Sequence, residues 1–120
     1  MSKKATLEAS SAKTATGNSA AATVLQTQPQ DVEFELDVTV AATLAGDTLD
    51  VFIQTKVGSN WVDVVAFTRV LGNGGTKRFF AKLAGGQPQA VFENGTALSA
   101  GSIRNLLGSE WRARWVIAGT

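Results

Sequence analysis

The sequence predicts an all-β fold, and three observations carry that expectation. Residues 32–40 alternate apolar and polar without a break, short glycine-containing turns punctuate the chain, and only one brief stretch has helical spacing. Alternation with period two marks a strand that has one face on a core and the other in water. Several such runs joined by short turns build an antiparallel sandwich or barrel, and clean single apolar faces favour the sandwich.

Taken in order, the run 32–40 directs Val32, Phe34, Leu36, Val38 and Val40 inward and Glu33, Glu35, Asp37 and Thr39 outward. Gly46 and Asp47 supply a turn. Residues 48–57 repeat the alternation, with Leu49, Val51, Ile53 and Val57 inward and Asp50, Phe52, Gln54 and Lys56 outward. A hairpin at Gly58-Ser59-Asn60 leads into 61–71, which is apolar on both sides: Trp61, Val65 and Phe67 on one, Val62, Val64, Ala66 and Val70 on the other. Such a strand belongs in mid-sheet with cover on each side, or reserves one face for a neighbour.

Gly72-Asn73-Gly74-Gly75 then reverses the chain, since glycine reaches positive φ at no steric cost. Residues 76–83 set Phe79, Ala81 and Leu83 against Lys77, Arg78 and Lys82, and a short apolar segment, Ala90-Val91-Phe92, ends at the turn Asn94-Gly95. Ser102 caps a helical turn over 102–107 that Gly108 stops. The last strand, 110–118, points Trp111, Ala113, Trp115 and Ile117 inward and Arg112, Arg114 and Val116 outward. The expected fold is an antiparallel β-sandwich, immunoglobulin-like or jelly-roll-like, of about 6–8 short strands with one helical turn near 102–107.

Residues 1–30 hold no aromatic side chain and are rich in Ala, Ser and Thr. They form either two weak edge strands, near 5–13 and 21–27 about a turn at Thr16-Gly17-Asn18-Ser19, or an arm that reaches about 100 Å when extended. Residues 31–120 supply the sandwich. The whole is one domain, because a chain of 120 residues buries roughly two-thirds of its unfolded surface around a single core.

Composition narrows the function. The chain has no cysteine and no histidine, which removes disulfides, thiolate metal sites and the commonest acid–base side chain and metal ligand. Lys3 and Lys4 are not followed by the apolar core of a signal peptide, and no run of about 18 apolar residues offers a membrane span. The expected product stays in the cytoplasm where it is made. A net charge of +1 conceals an asymmetry: residues 31–63 carry acids against the single base Lys56, and residues 64 onward carry bases against Glu93 and Glu110. The two halves attract each other, within a domain or between copies. The bases are neither clustered nor in large excess, so no nucleic-acid partner is expected.

No constellation points to catalysis. Glu33, Glu35 and Asp37 recur at about 7 Å along one strand face, the arrangement of a solvated row opposite a basic neighbour. Asp47 and Asp50 lack the dense oxygen ligands of a calcium loop. Serines occur without a Gly-x-Ser-x-Gly elbow, and glycines 72, 74 and 75 lack the Lys-Ser/Thr of a phosphate loop. The expectation is a non-enzymatic protein without metal or cofactor. Phe52 and Trp61 remain: they pack at the rim of the core, dock another subunit, or stack on a sugar as part of a carbohydrate-binding module.

The succession "TLEASSAKTATGNS", "VEFELDVTVAA", "DTLDVFIQTKVGSNWVDVVAFTRV", "GNGGTKRFFAKL" and "IRNLLGSEWRARWVIAGT" resembles small structural proteins of tailed bacteriophages. In that family a strand of the form Leu-Asp-Val-x-Ile-Gln-Thr runs into a turn and Asn-Trp-Val-Asp, and a late Leu-Leu-Gly precedes an Arg-rich strand. The likeness covers most of the chain, including its first twenty residues, which brings them into the folded unit. It implies a virion component, a capsid decoration or cement protein bound to the assembled head in many copies, with the major capsid protein and itself as partners. Tail and head–tail connector proteins of similar build are the alternative. Candidate contacts are apolar patches at Phe52 and Trp61 and charges at Glu33, Glu35, Asp37, Arg112 and Arg114. Relatives continue into a further strand where this sequence reaches Gly119-Thr120. Either an edge is left for a partner to fill, or the N-terminal segment takes that place.

Overall fold

The computed structural model describes residues 6–9, 11, 13, 15–21, 31–41, 44, 46–108 and 110–119. Over these residues the chain forms eight strands and no helix: β1 (Gly17–Asn18), β2 (Asp31–Val38), β3 (Thr48–Val57), β4 (Asn60–Ala66), β5 (Val70–Leu71), β6 (Lys77–Ala84), β7 (Ser102–Ile103) and β8 (Trp111–Ala118). All pairings are antiparallel. The larger sheet has the order β1-β8-β3-β4-β7, and β5 also lies on β3; the smaller is a ribbon of β2 and β6. The four long alternating runs therefore became the four long strands outside the hairpin partner β4.

Alternation explains how the sheets meet. Val32, Phe34 and Leu36 on β2 and Phe79, Ala81 and Leu83 on β6 share the inner face of the ribbon. They pack on Val51 and Ile53 of β3, Val64 and Val65 of β4, and Trp111 and Ala113 of β8. Trp111 is 1% exposed, and its ring lies 5.5 Å from that of Phe34 across the two layers. Among the described residues its Nε1–H meets no acceptor, and the ring is held by packing against the core. Thr55, on the inner face of β3 and fully buried, satisfies its hydroxyl by donating to the Glu110 carbonyl at 2.9 Å.

The strand that reads as apolar on both sides is resolved by a bulge. Asp63 is opposite Gln54 and Val65 is opposite Ile53, which leaves Val64 as an extra residue. A bulge turns two consecutive side chains toward one side. Val64 and Val65 are accordingly both buried in the core, while Trp61 and Asp63 face outward beside Lys56 and Gln54. The expected grouping of Trp61 with Val65 and Phe67 is thus corrected, and β4 needs no second apolar layer.

Two further expectations are corrected. The helical turn over 102–107 is absent: Ser102 and Ile103 pair with Ala66 and Val65, and the Gly101 and Arg104 amides donate to the Ala66 and Val64 carbonyls. A turn and a half of helix cannot repay its own nucleation, and the open edge of β4 offers those donors better acceptors. Val57, at the end of β3, and Val40, in the bend beyond β2, both expected inward, are exposed.

The N-terminal segment closes the other edge. Gly17 and Asn18, read as a turn, pair with Trp115 and Arg114 of β8. The Ser19 amide donates to the Ala113 carbonyl at 2.8 Å, its hydroxyl accepts from the Ala113 amide at 2.8 Å, and the Thr16 hydroxyl accepts from the Ile117 amide at 3.0 Å. Trp115 lies over Gly17, where an added Cβ would sit 3.2 Å from the ring, and its indole N–H donates to the Ala15 carbonyl. The strand expected near 5–13 is not formed by the described residues there, and the one near 21–27 lies outside the described residues beyond Ala21.

Candidate functional site

The outer face of the larger sheet brings together four of the predicted contact residues. Across its strands Arg112 is opposite Gln54, and Arg114 is opposite Phe52; Gln54 is in turn opposite Asp63, and Lys56 opposite Trp61. Rows of adjacent residues link into a chain of charge-assisted hydrogen bonds. Arg112 Nε donates to Gln54 Oε1 at 2.6 Å, Gln54 Nε2 donates to Asp63 Oδ1 at 2.8 Å, and Arg114 donates to Asp63 Oδ2 at 3.1 Å.

Both aromatics lie under guanidinium groups. Arg112 sits 4.4 Å from the Trp61 ring centre and Arg114 sits 4.2 Å from that of Phe52, within the range of cation–π attraction. Burial and then the neighbouring Arg114 make Arg112 less basic than usual, and Asp63 offsets part of this. Alongside, Asp50 offers both carboxylate oxygens to Arg69 at 2.9 and 3.0 Å, and that bond holds Arg69 more basic than usual. Asp50 is therefore a structural partner in this face.

A loop folds over the β4 side. The turn Asn94-Gly95 closes through Thr96 N–H to Glu93 O at 3.0 Å, and its Gly95 has φ +90, as such a turn requires. Arg104, 7% exposed, donates to the carbonyls of Asp63 at 3.2 Å and Thr96 at 3.0 Å and lies 4.0 Å from the centre of the Phe92 ring. Loop and sheet enclose a concavity of ≈ 200 Å³ lined by Trp61, Asp63, Phe92, Thr96, Arg104 and Arg114 among others. Each charged group lining it is bound to another side chain or to backbone.

Glu33, Glu35 and Asp37 are on the other outer face, that of the ribbon, and do not meet Arg112 or Arg114. Their basic neighbours come from β6: Arg78 reaches Glu35 at 3.2 Å and Asp37 at 3.3 Å, and Lys82 reaches Asp31 at 3.5 Å. Phe80, opposite Glu35, is 73% exposed.

Five further residues contribute to these faces. Phe80 follows from the period of β6, where 78, 80 and 82 share a face. Asp63 and Gln54 follow from the parity of Trp61 and Phe52 once β3 and β4 are paired. Phe92 and Arg104 carry no local signal, because only the loop's return onto β4 places them.

The fold and this surface define an all-β sandwich with two contrasting outer faces. Among the described residues no group of His, Cys, Asp and Glu is arranged to hold a metal ion, and no helix is long and apolar enough to cross a membrane. Comparisons with family models, curated proteins and solved structures return no match.

Proposed function

We propose that the protein is a non-enzymatic structural component of a bacteriophage virion, a decoration or cement protein that binds the assembled capsid in many copies. One observation carries the non-enzymatic part. The charged groups around the concavity, Asp63, Arg104 and Arg114, are each engaged by neighbours, so among the described residues that line it every carboxylate and cation already has a partner within the protein. The virion part is supported by the resemblance of the strand and turn motifs to tailed-phage structural proteins. Many weak contacts suffice for such a role, because repetition over a shell multiplies each of them.

The test is saturable binding of the purified protein to undecorated capsids, read by co-sedimentation. Absence of saturation sinks the reading, and antibody-labelled electron micrographs that place the protein on the tail or neck replace it with the connector alternative. A second reading, a carbohydrate-binding module, is favoured by Trp61 and Phe92 lining one concavity. Glycan binding that is lost in a folded Trp61→Ala variant would establish it instead.

A further inference from the structure

The outer face of the β2–β6 ribbon is sorted by charge. β2 contributes Asp31, Glu33, Glu35 and Asp37, and β6 contributes Arg78, Phe80 and Lys82. The rungs are Glu33 opposite Lys82, Glu35 opposite Phe80 and Asp37 opposite Arg78. Phe80, 73% exposed, therefore stands in the middle of a ring of charges, the layout of an interface centre with a polar rim.

The sorting selects what fits. Two copies joined edge to edge through the same strand would set acids beside acids or bases beside bases. Face to face, a twofold axis running across the strands would lay β2 over β2 of the second copy, again with like charges opposed. A twofold axis running along the strands does the reverse. It lays β2 over β6 of the second copy, so that Glu33 meets Lys82 and Asp37 meets Arg78 at the same rung, while the middle rung sets each Phe80 over Glu35 of the second copy, with the two rings flanking the axis. We propose that this face docks a second copy of the chain in that arrangement. A face whose outer rungs complement themselves in charge under one symmetry operation, with its exposed rings brought to either side of the axis, is matched by a copy without any other partner being specified.

The patch is small. Eight residues on two strands span about 26 Å by about 10 Å, on the order of 250 Å² per copy, against about 800 Å² for a standard stable interface. The pair is accordingly weak and forms at high local concentration, such as copies held side by side supply. The contact does not rest on the virion reading, and its test uses the purified full chain alone.

Sedimentation equilibrium from about 10 μM to about 2 mM is expected to show a reversible monomer–dimer transition that 0.5 M added salt weakens several-fold. Phe80→Ser should abolish it. The double variants Glu33→Lys/Asp37→Lys and Arg78→Glu/Lys82→Glu should each stay monomeric, and their equimolar mixture should form a heterodimer. A wild type that remains monomeric throughout, assembly that grows past the dimer, or a mixture that fails to associate overturns the proposal. If a charge variant does not fold, Phe80→Ser decides by itself, since dimerisation that survives it overturns the proposal.

Discussion

The two outer faces are built from the same alternation and end as different surfaces. On the larger sheet, β3 has β8 on one side and β4 on the other, so Gln54 is hydrogen-bonded both to Arg112 and to Asp63, and each aromatic is capped by an arginine. In the ribbon each strand has a single partner, so its charges pair across one ladder and Phe80 is left bare. The number of neighbouring strands, more than the residue types, decides whether a polar face closes on itself or is offered to something else. A face with neighbours on both sides links its groups into a network; a two-strand face pairs its charges within one ladder and leaves its aromatic uncovered.

The largest effect should come from the layer that the two faces share. Trp111→Ala removes the ring that touches both sheets and should cost about 3–5 kcal/mol in chemical denaturation, with both sheets lost in one transition. A surviving ribbon signal would break the picture of a common core. Next comes the network itself. Asp63→Ala leaves the buried Gln54 amide and the Arg114 guanidinium without their acceptor and should cost about 1–3 kcal/mol, whereas Asp63→Asn, which keeps one acceptor, should cost less.

Ser19→Ala deletes the acceptor of the buried Ala113 amide and should cost about 1 kcal/mol. Proteolysis of the segment before residue 20 should quicken in that variant, because the hydroxyl helps tie β1 to β8. Smallest of all are the changes in the ribbon. Glu35→Gln and Phe80→Ser should each lie within about 0.5 kcal/mol of wild type in thermal or denaturant unfolding. If Glu35→Gln costs as much as Asp63→Ala, the contrast between the faces fails.

Much of the fold was legible because strand alternation is local. The run 48–57 predicts β3 to the residue, and 32–40, 76–83 and 110–118 predict β2, β6 and β8 to within two residues at either end. The hairpin after Val57 follows from Gly58, whose φ of +62 no β-branched residue adopts readily. Less legible were the pieces that are strands only by virtue of a neighbour. Gly17-Asn18 and Ser102-Ile103 carry turn and cap chemistry, and they become extended because the edges of β8 and β4 need partners.

The candidate site divides in the same way. Parity places Phe52, Arg112 and Arg114 outward, and they are outward. Parity groups Trp61 with Val65 and Phe67, and the bulge at Val64 separates them, since alternation cannot register an extra residue in a run that is apolar on both sides.

By itself, then, the sequence determined the class of fold, the four long runs, the turns that join them and the absence of histidine and cysteine chemistry. These depend on the properties of residues within a few positions of one another. The tertiary structure alone decided that Arg112, Gln54 and Asp63 form one chain, that Arg104 pins the 92–96 loop, and that Phe80 is left uncovered. Those outcomes rest on the register between strands dozens of residues apart, where a slip of one residue moves every side chain to the other face.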